Sequence, residues 1–238
     1  MRGLEEHPGA PYPGAGTLRV HPDPAWLPDP LDDLSTPGQN RFDDPHRRAA
    51  VRYTATRLIG CLYEMMARFR PSAAAEGALQ SVGGIDDGDV DWPADDVTAV
   101  ADWLDRQQVG TVRVLDTGIF VEIEQPDVLV QLDKHPLVRS AVAALDPAGR
   151  LDSALIRLGG LRLGRPISQA VGVAVRDWMP NALGIAYMSR LADEPCWALW
   201  SSTHVQIASV PLDPSDPLHR EAVHHVARAF EITLPDHW

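Results

Sequence analysis

The chain has 238 residues, 45% of them apolar and 23% charged, which is enough to bury a substantial core and ordinary enough to exclude wholesale disorder. Its net charge of −12 argues against a protein that grips a nucleic-acid backbone, because counterion release needs a basic surface. A small anionic ligand stays open, since a local arginine cluster can oppose the global charge.

Residues 1–16 are rich in glycine and proline without periodicity and read as a flexible leader; residues 17–238 are expected to form one domain. TLRVH at 17–21 is a short β-prone run ended by Pro22. From Thr56 to Phe69 the apolar positions Leu58, Leu62, Met65, Met66 and Phe69 recur at spacings of three and four, the period of a helix with one buried stripe, and Pro71 stops it. A second helix is expected over Ala94–Gln108. Thr111–Leu115 and Ile119–Ile123 are then expected to pair as a hairpin around Asp116, Thr117 and Gly118. Leu129–Leu132 reads as a further strand, and His135–Leu145 and Ile167–Trp178 read as helices. GIAYMS at 184–189, CWALWS at 196–201 and VQIASV at 205–210 are expected at the centre of the sheet, followed by an amphipathic helix over Pro217–Phe230.

Cys61 and Cys196 are the two cysteines, and with no metal-ligand spacing they read as buried thiols in a reducing compartment. The N-terminus lacks the apolar core of a signal peptide and no segment approaches 18 apolar residues, so the expectation is a cytoplasmic protein with no membrane or direct nucleic-acid role. His219, His224 and His225 cluster on the last helix, but His219 and His224 fall on different faces, and no metal is expected there.

The most informative stretch is Asn40–Arg68, where a basic loop leads through Tyr53 into the helix that carries Glu64. Glu64 lies roughly opposite the apolar stripe, with Gly60 one turn earlier on the same side. Alone, that pattern describes a solvated glutamate paired with Arg68 at i,i+4. Gly60 adds a second reading: a helical glycine costs about 1 kcal/mol, and beside a carboxylate it leaves room for something to approach. If Tyr53 serves the same site, it must precede the helix, because eleven helical residues would separate it from Glu64 by about 16 Å.

Four patterns occur in order: LRVH around Arg19, NRFDDP around Arg41, Tyr53 with Glu64 eleven positions later, and GIAYMSR around Ser189. Together they resemble the RES domain family, toxins of bacterial toxin–antitoxin pairs. The resemblance covers residues 17–69 and about 165–210, and treats 72–160 as an insertion. Asn40 and Met188 stand where the family usually has glycine and proline.

The resemblance implies an α/β (α+β) single domain with a mixed or antiparallel sheet flanked by helices, ADP-ribosyltransferase-like, and an activity that cleaves the nicotinamide–ribose bond of NAD. It implies Glu64, Arg19 and Ser189 as catalytic residues and Arg41 and Tyr53 as substrate-binding ones. Glu64 would stabilise oxocarbenium-like charge, the arginines would take the diphosphate or an incoming phosphate, Tyr53 would face the nicotinamide, and Ser189 would fix its amide or ribose. NAD is then a substrate, with no bound cofactor and phosphate as one candidate co-substrate. The implied partner is a separately encoded Xre-type antitoxin, with homo-oligomers left open. The alternatives are a protein ADP-ribosyltransferase and a catalytically silent module that docks such a partner.

Overall fold

In the computed structural model the described residues are 9, 12–14, 16–22, 41–45, 51–69, 97–158 and 164–238. In chain order they form β1 (Thr17–Pro22), β2 (Val51–Ala55), α1 (Leu58–Met66) with a 3-10 turn at Ala67–Phe69, α2 (Val97–Leu104), β3 (Gln107–Val114), β4 (Phe120–Glu122), α3 (Pro126–Leu132), α4 (Pro136–Leu145), α5 (Ser153–Arg157), α6 (Arg165–Trp178), β5 (Gly184–Met188), β6 (Pro195–Trp200), β7 (Val205–Pro211) and α7 (Pro217–Phe230). Asn40, Ala94 and Pro71 lie outside the described residues.

The strands make one seven-stranded sheet in the order β4-β5-β6-β2-β1-β3-β7. Every neighbour is antiparallel except β4 with β5, so the expected α/β domain with a mixed sheet flanked by helices is what forms. Burial follows strand position. β5 and β6 are covered on both faces, whereas β7 is exposed along most of its length because it is an edge. The expectation that all three C-terminal strands are central therefore holds for β5 and β6, and β7 corrects it.

Two alternating sets of side chains leave the sheet on opposite faces. One face carries Val20, Ala55, Ile185, Tyr187, Cys196, Ala198 and Trp200 into the main core, where Leu62, Met66 and Phe69 join them. The other face holds a smaller cluster of Val112, Phe120, Ala186, Trp197 and Leu199. Tyr12, from the segment read as a flexible leader, packs on it against Phe120 and Trp197 with ring centroids at 5.3 and 5.7 Å.

Three other expectations are corrected. β3 and β4 are strands but not a hairpin: β3 pairs with β1 and β7, and β4 pairs with β5 at the far edge. The reason lies at Asp116, whose carboxylate accepts from His204 N at 2.7 Å and lies 2.9 Å from His204 Nδ1. The expected turn is thus tied to the β6–β7 connection instead of reversing the chain. Leu129–Leu132 is the end of helix α3, with Pro126 in its first turn, Asp127 beside it, and Val128 and Leu132 buried at i,i+4. The second helix ends at Leu104, because Gln107 and Gln108 already belong to β3. β3 and β4 also show that the region 72–160 contributes strands to the one sheet.

Both cysteines are free and buried. Cys61 Sγ donates to Leu18 O at 3.0 Å; burial pushes its thiol up to about 12 and raises that of Cys196 as well. An unfolded thiol titrates near 8.5, so the stabilisation from keeping these groups neutral is complete below that pH and is lost as pH rises through the folded value. At pH 8 a group with pKa 12 is thiolate in about one molecule in 10⁴. Iodoacetamide at pH 8 is therefore expected to leave the native protein unmodified over an hour and to label both cysteines once it is unfolded. Fast labelling of the native state would contradict this packing.

Candidate active site

Helix α1 sets the direction of Glu64. Its apolar stripe packs into the core, and Tyr63 lies edge-on to Phe230 of α7 at 5.2 Å. These contacts fix the helix's rotation and turn Glu64, half-buried, toward the end of β5. There Ser189 Oγ donates to Glu64 Oε1 at 2.6 Å across 125 positions of sequence. One carboxylate oxygen of Glu64, Oε1, is thereby held; the side chain of Arg68, the partner that i,i+4 spacing offers, lies outside the described residues.

Ser189 is itself fixed by the turn that follows β5. Its hydroxyl oxygen accepts from Leu191 N and Ala192 N, both at 3.1 Å, and its N–H donates to Glu194 O at 2.8 Å. With both lone pairs engaged and its proton on Glu64, Ser189 orients the carboxylate.

Gly60 serves a different purpose from the one expected. A Cβ there would stand 2.8 Å from Glu194 Oε2 and 3.2 Å from Ala55 Cβ, so the glycine admits the Glu194 side chain against α1 and leaves no room for a ligand. Glu194 is buried, pairs with Arg57, and accepts from Thr56 Oγ1 at 3.3 Å. It pins the Ser189 turn to the start of α1.

The second group centres on Arg41. Tyr53 precedes α1 on β2, as the spacing required, and its hydroxyl accepts from Phe42 N at 2.9 Å and donates to Asp43 Oδ1 at 3.4 Å. The Tyr53 hydroxyl therefore holds the 41–45 loop. Helix α6 grips the same loop from the other side: Arg176 Nη2 donates to Phe42 O at 3.0 Å, and Arg176 Nη1 lies 3.6 Å from Asp44 Oδ2. Gly172 allows that approach, because a Cβ there would be 2.7 Å from Phe42 O. Gly172→Ala gains about 1 kcal/mol of helix propensity, but the clash falls on backbone. We expect a net loss of about 1–3 kcal/mol in stability, read as a lower melting temperature, and a variant as stable as the parent would contradict this seat for the loop.

Held in this way, Arg41 is 7% exposed, with its guanidinium carbon 4.8 Å from the Tyr187 ring centre and 5.1 Å from that of Phe42. Arg41 Nη2 donates to Ile156 O at 2.9 Å, while the buried Nε and Nη1 have no partner among the described residues. A buried guanidinium with unspent donors is costly to leave unpaired and suits an anionic ligand. Tyr187 joins the two groups. Its hydroxyl is raised well above the usual tyrosine range, first by burial and then by Cys196 and Glu64, with Arg41 acting in the opposite direction. Glu64 and Arg41 likewise act with opposite sign on Cys196, so both charges are felt at the neighbouring Tyr187 and Cys196 side chains.

Arg19 stands apart. Leu18↔Ala55 is the one register pair between β1 and β2, and alternation from it puts Tyr53 on the face of Leu18 and Arg19 on the other. Burial, then the charge of Arg52, lowers Arg19 to about 10, with Cys61 and Tyr53 opposing. It is still a cation at neutral pH, coupled to Tyr53 through charge. Of the five expected residues, Glu64 and Ser189 are in direct contact, Arg41 and Tyr53 are joined through Phe42, and Arg19 shares no hydrogen bond with Glu64.

Two residues that the sequence did not single out border the same place. Glu124, just after β4, accepts from Arg157 Nε and Nη2 at 2.9 and 2.7 Å through Oε2 and from Met188 N at 3.0 Å through Oε1. A proline at 188 would have no N–H to give. Among the described residues no group of three histidine, cysteine or acidic side chains could hold a metal ion, and no helix is long and apolar enough to cross a membrane.

No family model and no curated protein matches the chain. Among solved structures, the crystal structure of the M. tuberculosis MbcT–MbcA toxin–antitoxin complex is similar to this chain with a TM-score of 0.41 and 16% identity, covering 88% of each chain.

Proposed function

We propose that the protein cleaves the nicotinamide–ribose bond of NAD, with Glu64 beside the reacting carbon and Arg41 on the diphosphate. The observation that carries this reading is the pairing of a carboxylate, held by one oxygen on Ser189, with a buried arginine that has two unspent donors. Cleavage moves the bonding electron pair onto the nicotinamide nitrogen and leaves oxocarbenium-like charge on the ribose. Glu64 Oε2 stabilises that charge and takes the proton as water or phosphate forms the new C–O bond. Ser189 keeps the carboxylate aimed, Tyr53 keeps the 41–45 loop in place, and Arg19 contributes field from the far face of the sheet.

In this reading the protein acts as the toxin of a toxin–antitoxin pair, with a separately encoded antitoxin that blocks the site. The reaction is tested by incubating purified protein with NAD, with and without inorganic phosphate, and identifying products by mass spectrometry. Free nicotinamide with ADP-ribose marks water as acceptor, and its 1-phosphate marks phosphate. ADP-ribose attached to protein would move the activity to the transferase class. Unchanged NAD in both incubations would sink the reading.

A further inference from the structure

Contacts around the site close into a ring that passes through the region 72–160, where no motif was legible. Glu64 meets Ser189; the preceding residue, Met188, donates its N–H to Glu124; Glu124 takes two donors of Arg157; Arg157 closes α5, where the neighbouring Ile156 carbonyl accepts from Arg41; and Arg41 returns over Tyr187. Helix α5 has five residues, too short to hold its place by itself. Its N-cap, Asp152, accepts from Leu155 N and satisfies the helix's own amide. What ties its last turn to the sheet is the two-donor pair with Glu124, whose side chain is 15% exposed and whose other oxygen is fixed on β5.

We propose that Glu124, acting through Arg157 and the Ile156 carbonyl, is a positioning residue for Arg41 and sets the affinity for the anionic part of the substrate. One Arg41 donor is spent on Ile156 O, so the position of that carbonyl fixes the direction of the two that remain. Two donors on the Glu124 carboxylate restrict the last turn of α5 more closely than one would, and Ile156, fully buried in the main core, anchors the same turn from its other side. Glu124 touches no reacting atom in this scheme, and its loss should appear in binding rather than in the chemical step.

The inference rests on the proposed NAD cleavage, and the test separates the two. Glu124→Gln keeps the acceptor for Met188 N and loses the charged pair; Arg157→Gln loses it from the other side. Each single variant is expected to raise the KM for NAD about tenfold with kcat within a factor of two, and the double variant to be no worse than either single one, as for two groups that act as one unit. Calorimetric titration with inorganic pyrophosphate gives a second readout that needs no turnover: Glu124→Gln should weaken binding about tenfold, and Arg41→Gln should abolish it. If the wild type leaves NAD intact but pyrophosphate binding falls in this pattern, the positioning inference stands and the proposed reaction fails. A wild-type KM in Glu124→Gln, a loss of kcat at unchanged KM, or a wild type that binds no pyrophosphate would overturn the inference.

Discussion

Replacing Glu64 by glutamine is expected to slow nicotinamide release by about three orders of magnitude, since a positioned carboxylate that acts both as charge stabiliser and as base contributes on that scale. The fold should not register the change. Glutamine has nearly the same shape, and its carbonyl oxygen can still accept from Ser189 Oγ, which donates at 2.6 Å in the parent. The melting temperature should stay within a few degrees while turnover collapses, and that contrast separates a catalytic carboxylate from a structural one. Turnover within tenfold of wild type in Glu64→Gln would mean that the carboxylate plays no part in the chemistry.

Arg41→Gln should act on the other half of the substrate, raising the KM for NAD about a hundredfold, the scale of a charge-assisted fork to phosphate. This variant carries a structural cost as well, because Ile156 O loses the donor it has at 2.9 Å and the stacked guanidinium leaves the Tyr187 ring. Some loss of stability is therefore expected beside the loss of affinity, and the kinetic constants must be compared at equal folded fraction. Arg41→Lys sharpens the test: it keeps the charge and forfeits the fork, so only partial recovery of KM is expected. An unchanged KM in Arg41→Gln would remove the arginine from the substrate site.

The sequence made legible those features that local periodicity or neighbouring residues encode. The stripe through Leu62, Met66 and Phe69 located α1, the apolar runs of β5 and β6 located two buried strands, and the length of the Tyr53–Glu64 interval required Tyr53 to precede the helix, where β2 holds it. Two features depend on distant partners. Asp116 looked like a hairpin turn because the sequence does not show that it binds His204, 88 positions away. Gly60 looked like an opening because Glu194, the side chain that fills it, arrives from 134 positions later. Pro126 with Asp127 is a local helix-start signal, and it prevails over the β propensity of the short run Leu129–Leu132.

The candidate site was legible in the same proportion. The resemblance names Ser189 and Glu64 separately, but that the two meet, and that the hydroxyl also takes two backbone donors, follows only from the geometry of the turn. Arg19 could be named, but the face it occupies is set by the single Leu18↔Ala55 pair. Glu124, Arg157 and Arg176 could not be found at all. Each meets the site through backbone groups or through a residue 33 or more positions away, and no periodic pattern marks such contacts.

The central claim is that Glu64 and Arg41 serve one ligand, and a crystal structure with ADP-ribose bound tests it most directly. The diphosphate is expected on Arg41 Nε and Nη1, and the anomeric carbon of the terminal ribose about 3.5 Å from Glu64 Oε2, with Ser189 still donating to Oε1. ADP-ribose bound away from Arg41, or a bound ribose facing away from Glu64, would contradict it.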